Sequence, residues 1–200
     1  VDDPPTRQLI KSMIKEVIDK LQASYWFILN EEGQPTTAAP GIDGSERVAF
    51  ALIAANMLDT PEYWDLYEQV YEEEKPMLAI NSNSFFNKYT EYFANNLRHQ
   101  NYESLLTLDP DLERTQFFFD TFKKQMRPFV AGTHNVYFET IYLLGCERLG
   151  QCRDSKAIME DMVKSLQQFQ SWPNTEIHIE TPPAEIDPIP IQIGPGDPAQ

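Results

Sequence analysis

Residues 48–58 are apolar at almost every position, a pattern that suits a helix with neighbours on all sides. A helix lying on a surface would carry a single apolar stripe instead. The run leads straight into Asp59-Thr60-Pro61 and then residues 62–71, where Tyr63, Tyr67, Val70 and Tyr71 share one face and acids the other. An inner helix, a tight capped turn and an outer helix make a helical hairpin.

The same reading places the other elements. Residues 6–29 read as a long first helix, with Leu9, Ile10, Met13, Ile14, Val17, Ile18 and Leu21 in a broad stripe at helical spacing. Residues 30–44 lose all periodicity and carry Gly33, Pro35, Pro40, Gly41 and Gly44, which is loop composition. Asp43 or Ser45 caps the inner helix. Thr60 caps the next, with Pro61 at the first helical position, where its missing N–H costs nothing. That helix is expected to stop before Pro76. Further helices are predicted over residues 84–99, 102–108, 110–127 (closed by Pro128), 136–144 after a Gly132-Thr133 turn, and 155–169. Beyond Trp172 proline is frequent, Lys and Arg are absent and isoleucines alternate with polar residues or proline. The chain therefore divides into a helical-hairpin domain, 1–172, and an extended acidic Pro-rich tail, 173–200. The fold class is all-α, with stacked hairpins as a partial toroid or open arc.

An internal echo supports the stacking. Leu58-Asp-Thr-Pro-Glu and Leu108-Asp-Pro-Asp-Leu each join an inner-type to an outer-type helix, fifty positions apart. Phe138-Glu-Thr-Ile-Tyr-Leu-Leu-Gly followed by Ser155-Lys-Ala-Ile-Met reads as another such pair. Quasi-repeats of about 40–50 residues mark stacked helical hairpins. Residues 49–67, residues 106–111 and residues 134–142 resemble hairpins of the (α/α) toroids found in many polysaccharide lyases and glycosidases. The likeness covers residues 43–170, room for three to four hairpins of a complete ring of six. It implies a rim of ligand-facing loops and, in a complete ring, carbohydrate chemistry.

Charge and cysteines narrow the setting. A formal net charge of −15 argues against nucleic acid as a partner, because neutralising phosphates requires clustered Lys and Arg. It equally disfavours anionic lipid surfaces. No apolar run approaches the roughly 18–20 residues of a membrane span. The chain opens on Val1-Asp-Asp-Pro-Pro without Met, which fits a cleaved export signal or a cut between domains. Cys146 and Cys152 are the only cysteines. In one continuous helix about 9 Å of rise would separate them, too far to bridge. If the chain leaves the helix near Gly150 a disulfide becomes feasible; otherwise both remain structural thiols.

The loops entering the inner helices are expected to converge on one face. They carry Asp43, Glu46 and Arg47 on one side and His134, Asn135, Tyr137 and Glu139 on another, with Tyr102 and Glu103 between them. A histidine with a tyrosine or carboxylates serves acid–base cleavage of a sugar linkage, and paired carboxylates serve hydrolysis. The plainer reading makes Asp43 a cap and Glu46 a first-turn acid favoured by the helix dipole. Asp109, Asp111 and Glu113 have oxygen ligands for calcium but sit on one helix turn, where they cannot all converge, so capping is the expected role. No phosphate loop, serine-hydrolase elbow or zinc motif is present, and neither a metal nor another cofactor is predicted.

The expectation is an exported binding or assembly module without chemistry of its own. Its candidate ligand rim is Asp43, Arg47, Tyr102, His134, Asn135 and Glu139. Partners are other proteins or copies of the chain, with a glycan as a further ligand class, in a secreted, periplasmic or cell-surface setting. The main rival is a carbohydrate-active enzyme of toroid type, or a fragment of one; a second rival is an intracellular helical adaptor with two thiols. In the tail, Ile189, Ile191 and Ile193 share one face of an extended chain. Pro188 and Pro190 remove donors from one edge. Such a segment docks on its own helices or on a neighbouring copy, the alternative being a polyproline-like linker.

Overall fold

The computed structural model describes residues 3–36, 41–80, 90–130 and 135–170. The described residues form α1 (Pro4–Ala23), α2 (Gly44–Leu58), α3 (Pro61–Ala79), α4 (Thr90–Leu108), α5 (Leu112–Gln125), α6 (Arg127–Val130), α7 (Val136–Leu149) and α8 (Ser155–Gln170). Among them β structure is limited to two isolated antiparallel bridges, Phe27 with Gly41 and Leu29 with Pro35. The fold is all-α. His134, the Gly132-Thr133 turn, the predicted helix start at 84 and the tail with Ile189, Ile191 and Ile193 lie outside the described residues.

The inner helices α2, α4 and α7 pack side by side. Each has an outer mate: α3 on α2, α5 on α4, and α8 on α7, while α1 covers α2 and α5 also touches α7. The apolar character of α2 has the expected cause. Val48, Ala49, Ala51, Leu52, Ala54 and Ala55 are all buried, and the four alanines permit close approach of its neighbours. Phe50, at 39% exposure, is the position where α2 reaches the surface. The aromatic run of α5 divides as helical geometry requires, with Phe118, Phe119 and Phe122 fully buried and Phe117 partly so.

Five boundaries depart from the sequence pattern, one of them at α5, which ends at Gln125 and not at Pro128, a residue that lies inside α6. The first helix ends at Ala23, six residues before Leu29, because Tyr25 and Trp26 adopt left-handed φ of 54° and 64°. That turn sends the Trp26 ring into the core and leaves Tyr25 81% exposed. Pro76 lies inside α3 instead of ending it. Proline deprives the Glu72 carbonyl of a partner, but both residues face solvent, and the last turn is anchored where Leu78 packs on the core and its carbonyl accepts from Gln125 Nε2 at 2.7 Å. The two helices expected around residue 100 are one, α4, because His99, Asn101 and Tyr102 are buried against neighbouring helices where a turn was expected. Helix α7 passes Gly145 and runs to Leu149: with no Cβ, Gly145 lets the Phe119 ring approach the backbone.

Capping also differs in two places. Asp111, not Asp109, caps α5, accepting from Glu113 N at 2.7 Å and Arg114 N at 3.2 Å. Asp109 has no solvent exposure and is held by Tyr67 and Arg114. Thr60 occupies the N-cap of α3 without making a side-chain cap hydrogen bond.

Gly150 does end the helix, at φ 61°, and the chain turns back so that Cys146 and Cys152 are joined by a disulfide with Cα atoms 5.4 Å apart. No described helix is long and apolar enough to cross a membrane.

Candidate functional site

The N-terminus of α2 is built by a capping box. The Asp43 carboxylate accepts from the Ser45 and Glu46 amides at 2.8 and 3.1 Å, and Glu46 reaches back to the Asp43 amide at 3.2 Å. Ser45 Oγ donates to Asp43 at 2.7 Å and accepts from Asn101 Nδ2 of α4 at 3.2 Å, fixing the two inner helices together. Burial first, and the neighbouring Asp43 charge second, push the Glu46 carboxyl above its usual range.

Beside this cap is a cavity of about 210 Å³ lined by Asp43, Gly44, Ser45, Met77, Leu78, Arg98, Tyr102, Gln125 and Met126. Four helices contribute. Arg98 and Tyr102 stand one turn apart on α4 and therefore share a face. The Arg98 guanidinium is 3.9 Å from Asp43 Oδ2, a loose ion pair. Tyr102 is 4% exposed, with its ring 5.8 Å from that of Phe122, and its hydroxyl makes no hydrogen bond among the described residues. Burial, aided by Asp43, drives its pKa well above the phenol range, while Arg98 pulls the other way. The phenol is thus neutral, at the wall of a cavity also lined by a carboxylate, a guanidinium and the Gln125 amide, whose Nε2 donates to the Leu78 carbonyl.

The rim predicted from sequence is divided by the structure. Asp43 and Tyr102 meet at this cavity. Arg47 does not line it: its Nε donates to the Ile42 carbonyl at 2.7 Å and its Nη1 to Glu74 at 2.9 Å, tying α2 to α3. Asn135 caps α7, accepting from Tyr137 N at 3.0 Å. Glu139 is buried and bound to Arg127 at 2.6 Å, and Arg127 in turn stacks 3.9 Å above the Tyr142 ring. Both serve the packing of α7. Arg98 and Gln125 belong to the cavity and went unselected in the sequence. The i, i+4 spacing of Arg98 and Tyr102 was the available signal, obscured by the predicted helix break between them.

No protein-family model matches the chain, and neither a curated protein nor a solved structure gives a match. The chemistry of the cavity therefore rests on its own side chains. No group of three or more His, Cys, Asp or Glu gathers as a metal site among the described residues. Asp43, the carboxylate in the cavity's lining, is engaged in the capping box. The lining thus sets the polar groups of Asp43, Arg98, Tyr102 and Gln125 beside apolar walls of Met77, Leu78 and Met126.

Proposed function

We propose that this protein is an exported binding module that takes one hydroxyl-rich ring, such as a sugar residue of a glycan, at the Tyr102 cavity, without altering it chemically. The observation that carries this reading is the Tyr102 hydroxyl, which makes no hydrogen bond among the described residues and belongs to a residue that lines the cavity, where a ligand can take it as a partner. Ligand charge is constrained from both sides. Asp43 and Glu46 repel an anion and Arg98 repels a cation, whereas a neutral polyol can accept from Arg98 and Tyr102 and donate to Asp43. The methionine and leucine walls suit the apolar face of such a ring. The volume lies below the roughly 300–1,000 Å³ of clefts that enclose whole ligands, so a single residue of a longer chain fits better than an oligosaccharide. Export is supported by the Cys146–Cys152 bridge, as stable disulfides are characteristic of oxidising compartments. The hydrolytic alternative would need a pair of carboxylates facing the ligand, and Asp43 is the one carboxylate in the cavity's lining.

Screening the full chain on a glycan array, followed by titration of the best ligand, tests this. Tyr102→Phe should weaken binding by roughly tenfold, the equivalent of one hydrogen bond, at unchanged melting temperature, and Arg98→Ala should weaken it further. Absence of any glycan binding, or wild-type affinity in Tyr102→Phe, would sink the reading. A shortened glycan released during incubation would favour an enzyme.

A further inference from the structure

The last helix of the array is incompletely covered. Helix α8 packs on α7, with Ile158 against the core. Met159, Val163 and Leu166, at spacings of four and three, form a second stripe that is 50%, 52% and 50% exposed. Three large apolar side chains in one row are an unusual thing to leave in water.

We infer that this stripe is the docking site of the chain's own C-terminal segment, with Ile189, Ile191 and Ile193 laid along α8 of the same molecule. Thirty residues follow Gln170, the end of α8, so the segment begins where the stripe's own helix stops. The eighteen residues from Ser171 to Pro188 give slack to turn back over one helix. Dimensions agree: Met159 to Leu166 spans about 10 Å of helix rise, and Ile189 to Ile193 spans about 13 Å in an extended chain.

A second copy is the weaker occupant, because two chains of net charge −15 repel each other, while a tethered segment is held near α8 at an effective concentration on the order of millimolar. The stripe Leu9, Met13 and Val17 on α1 is also exposed. It lies at the other end of the helix row, on the helix that covers α2, whereas α8 packs on α7 and leads directly into the tail.

Methyl NMR of the full chain decides the matter. Nuclear Overhauser contacts are expected from Ile189, Ile191 and Ile193 to Met159, Val163 and Leu166, with intensities independent of protein concentration. They should vanish in Val163→Asp and equally in Ile191→Asp, a change in the tail that leaves the helices intact. Random-coil shifts for the three isoleucines, contacts to Leu9, Met13 and Val17, or contacts that grow with concentration would each overturn the inference.

Discussion

Tyr67 of α3 donates its hydroxyl hydrogen to the carboxylate of Asp109, which is wholly buried in the turn between α4 and α5. The same carboxylate is held by Arg114 Nε at 3.1 Å, and Arg114 reaches Glu68 at 2.7 Å. Arg148 of α7 donates to the Asp109 backbone carbonyl. One aspartate therefore connects the outer helices α3 and α5 to the inner helix α7, a task its place in a cap-like sequence conceals.

Removing one partner of a buried ion pair leaves the other uncompensated, so Asp109→Asn is expected to cost about 3–5 kcal/mol. Tyr67→Phe removes one hydrogen bond to a charged group and should cost about 1.5–3 kcal/mol. Urea denaturation of both variants provides the comparison, and equal small losses in the two would mean that Asp109 is not the node.

Packing predictions separate the faces of α2. Leu52→Ala, at a site with no exposure, should lose about 2–5 kcal/mol, while Phe50→Ala on the exposed side should lose much less. The same denaturation assay reads both, and similar losses would contradict the burial pattern.

Gly145→Ala adds a methyl group where the Phe119 ring lies against the backbone. Phe119 is fully buried and stacked on Tyr142 at 5.6 Å, so it has little room to move. Overpacking of this kind should destabilise by about 1–3 kcal/mol. An unchanged melting temperature would show that α5 and α7 can separate at no cost.

Stability should fall in alkali. Burial, then hydrogen bonding to Asp109, raises the Tyr67 pKa; burial likewise raises that of Tyr102. Burial and the neighbouring Glu103 push Tyr137 up to about 12. Each folded phenol keeps a proton that the unfolded chain releases near pH 10. The contribution is fully present below about pH 10 and is lost as pH rises, for Tyr137 between about pH 10 and 12. Denaturant midpoints measured from pH 8 to 11 should decline above pH 10, with a shallower decline in Tyr67→Phe.

Titration of thiols on the unfolded, unreduced protein should find none and, after reduction, two. Opening the short Cys146–Cys152 loop should lower stability by about 2 kcal/mol on the chain-entropy model. Two thiols without reductant would restore the intracellular-adaptor reading.

Much of this fold was legible in the chain because it is local. The period of residues 48–58 and 62–71, the cap of α2 at Asp43 and the Thr60-Pro61 start each depend on side chains within a turn or two, and the cysteine bridge needed only Gly150 to end a helix. Tertiary packing decided the rest. Burial of Trp26 cut α1 short, and contacts of Leu78 carried α3 past Pro76. Asn101, buried against Ser45, made one helix of two, and Asp109 became a buried node where its neighbours predicted a cap. The candidate cavity draws Asp43 from α2's cap, Met77 from α3, Arg98 and Tyr102 from α4 and Gln125 from α5. Each belongs to a different local pattern, and their meeting depends on how the helices stack, which no single stretch of sequence encodes.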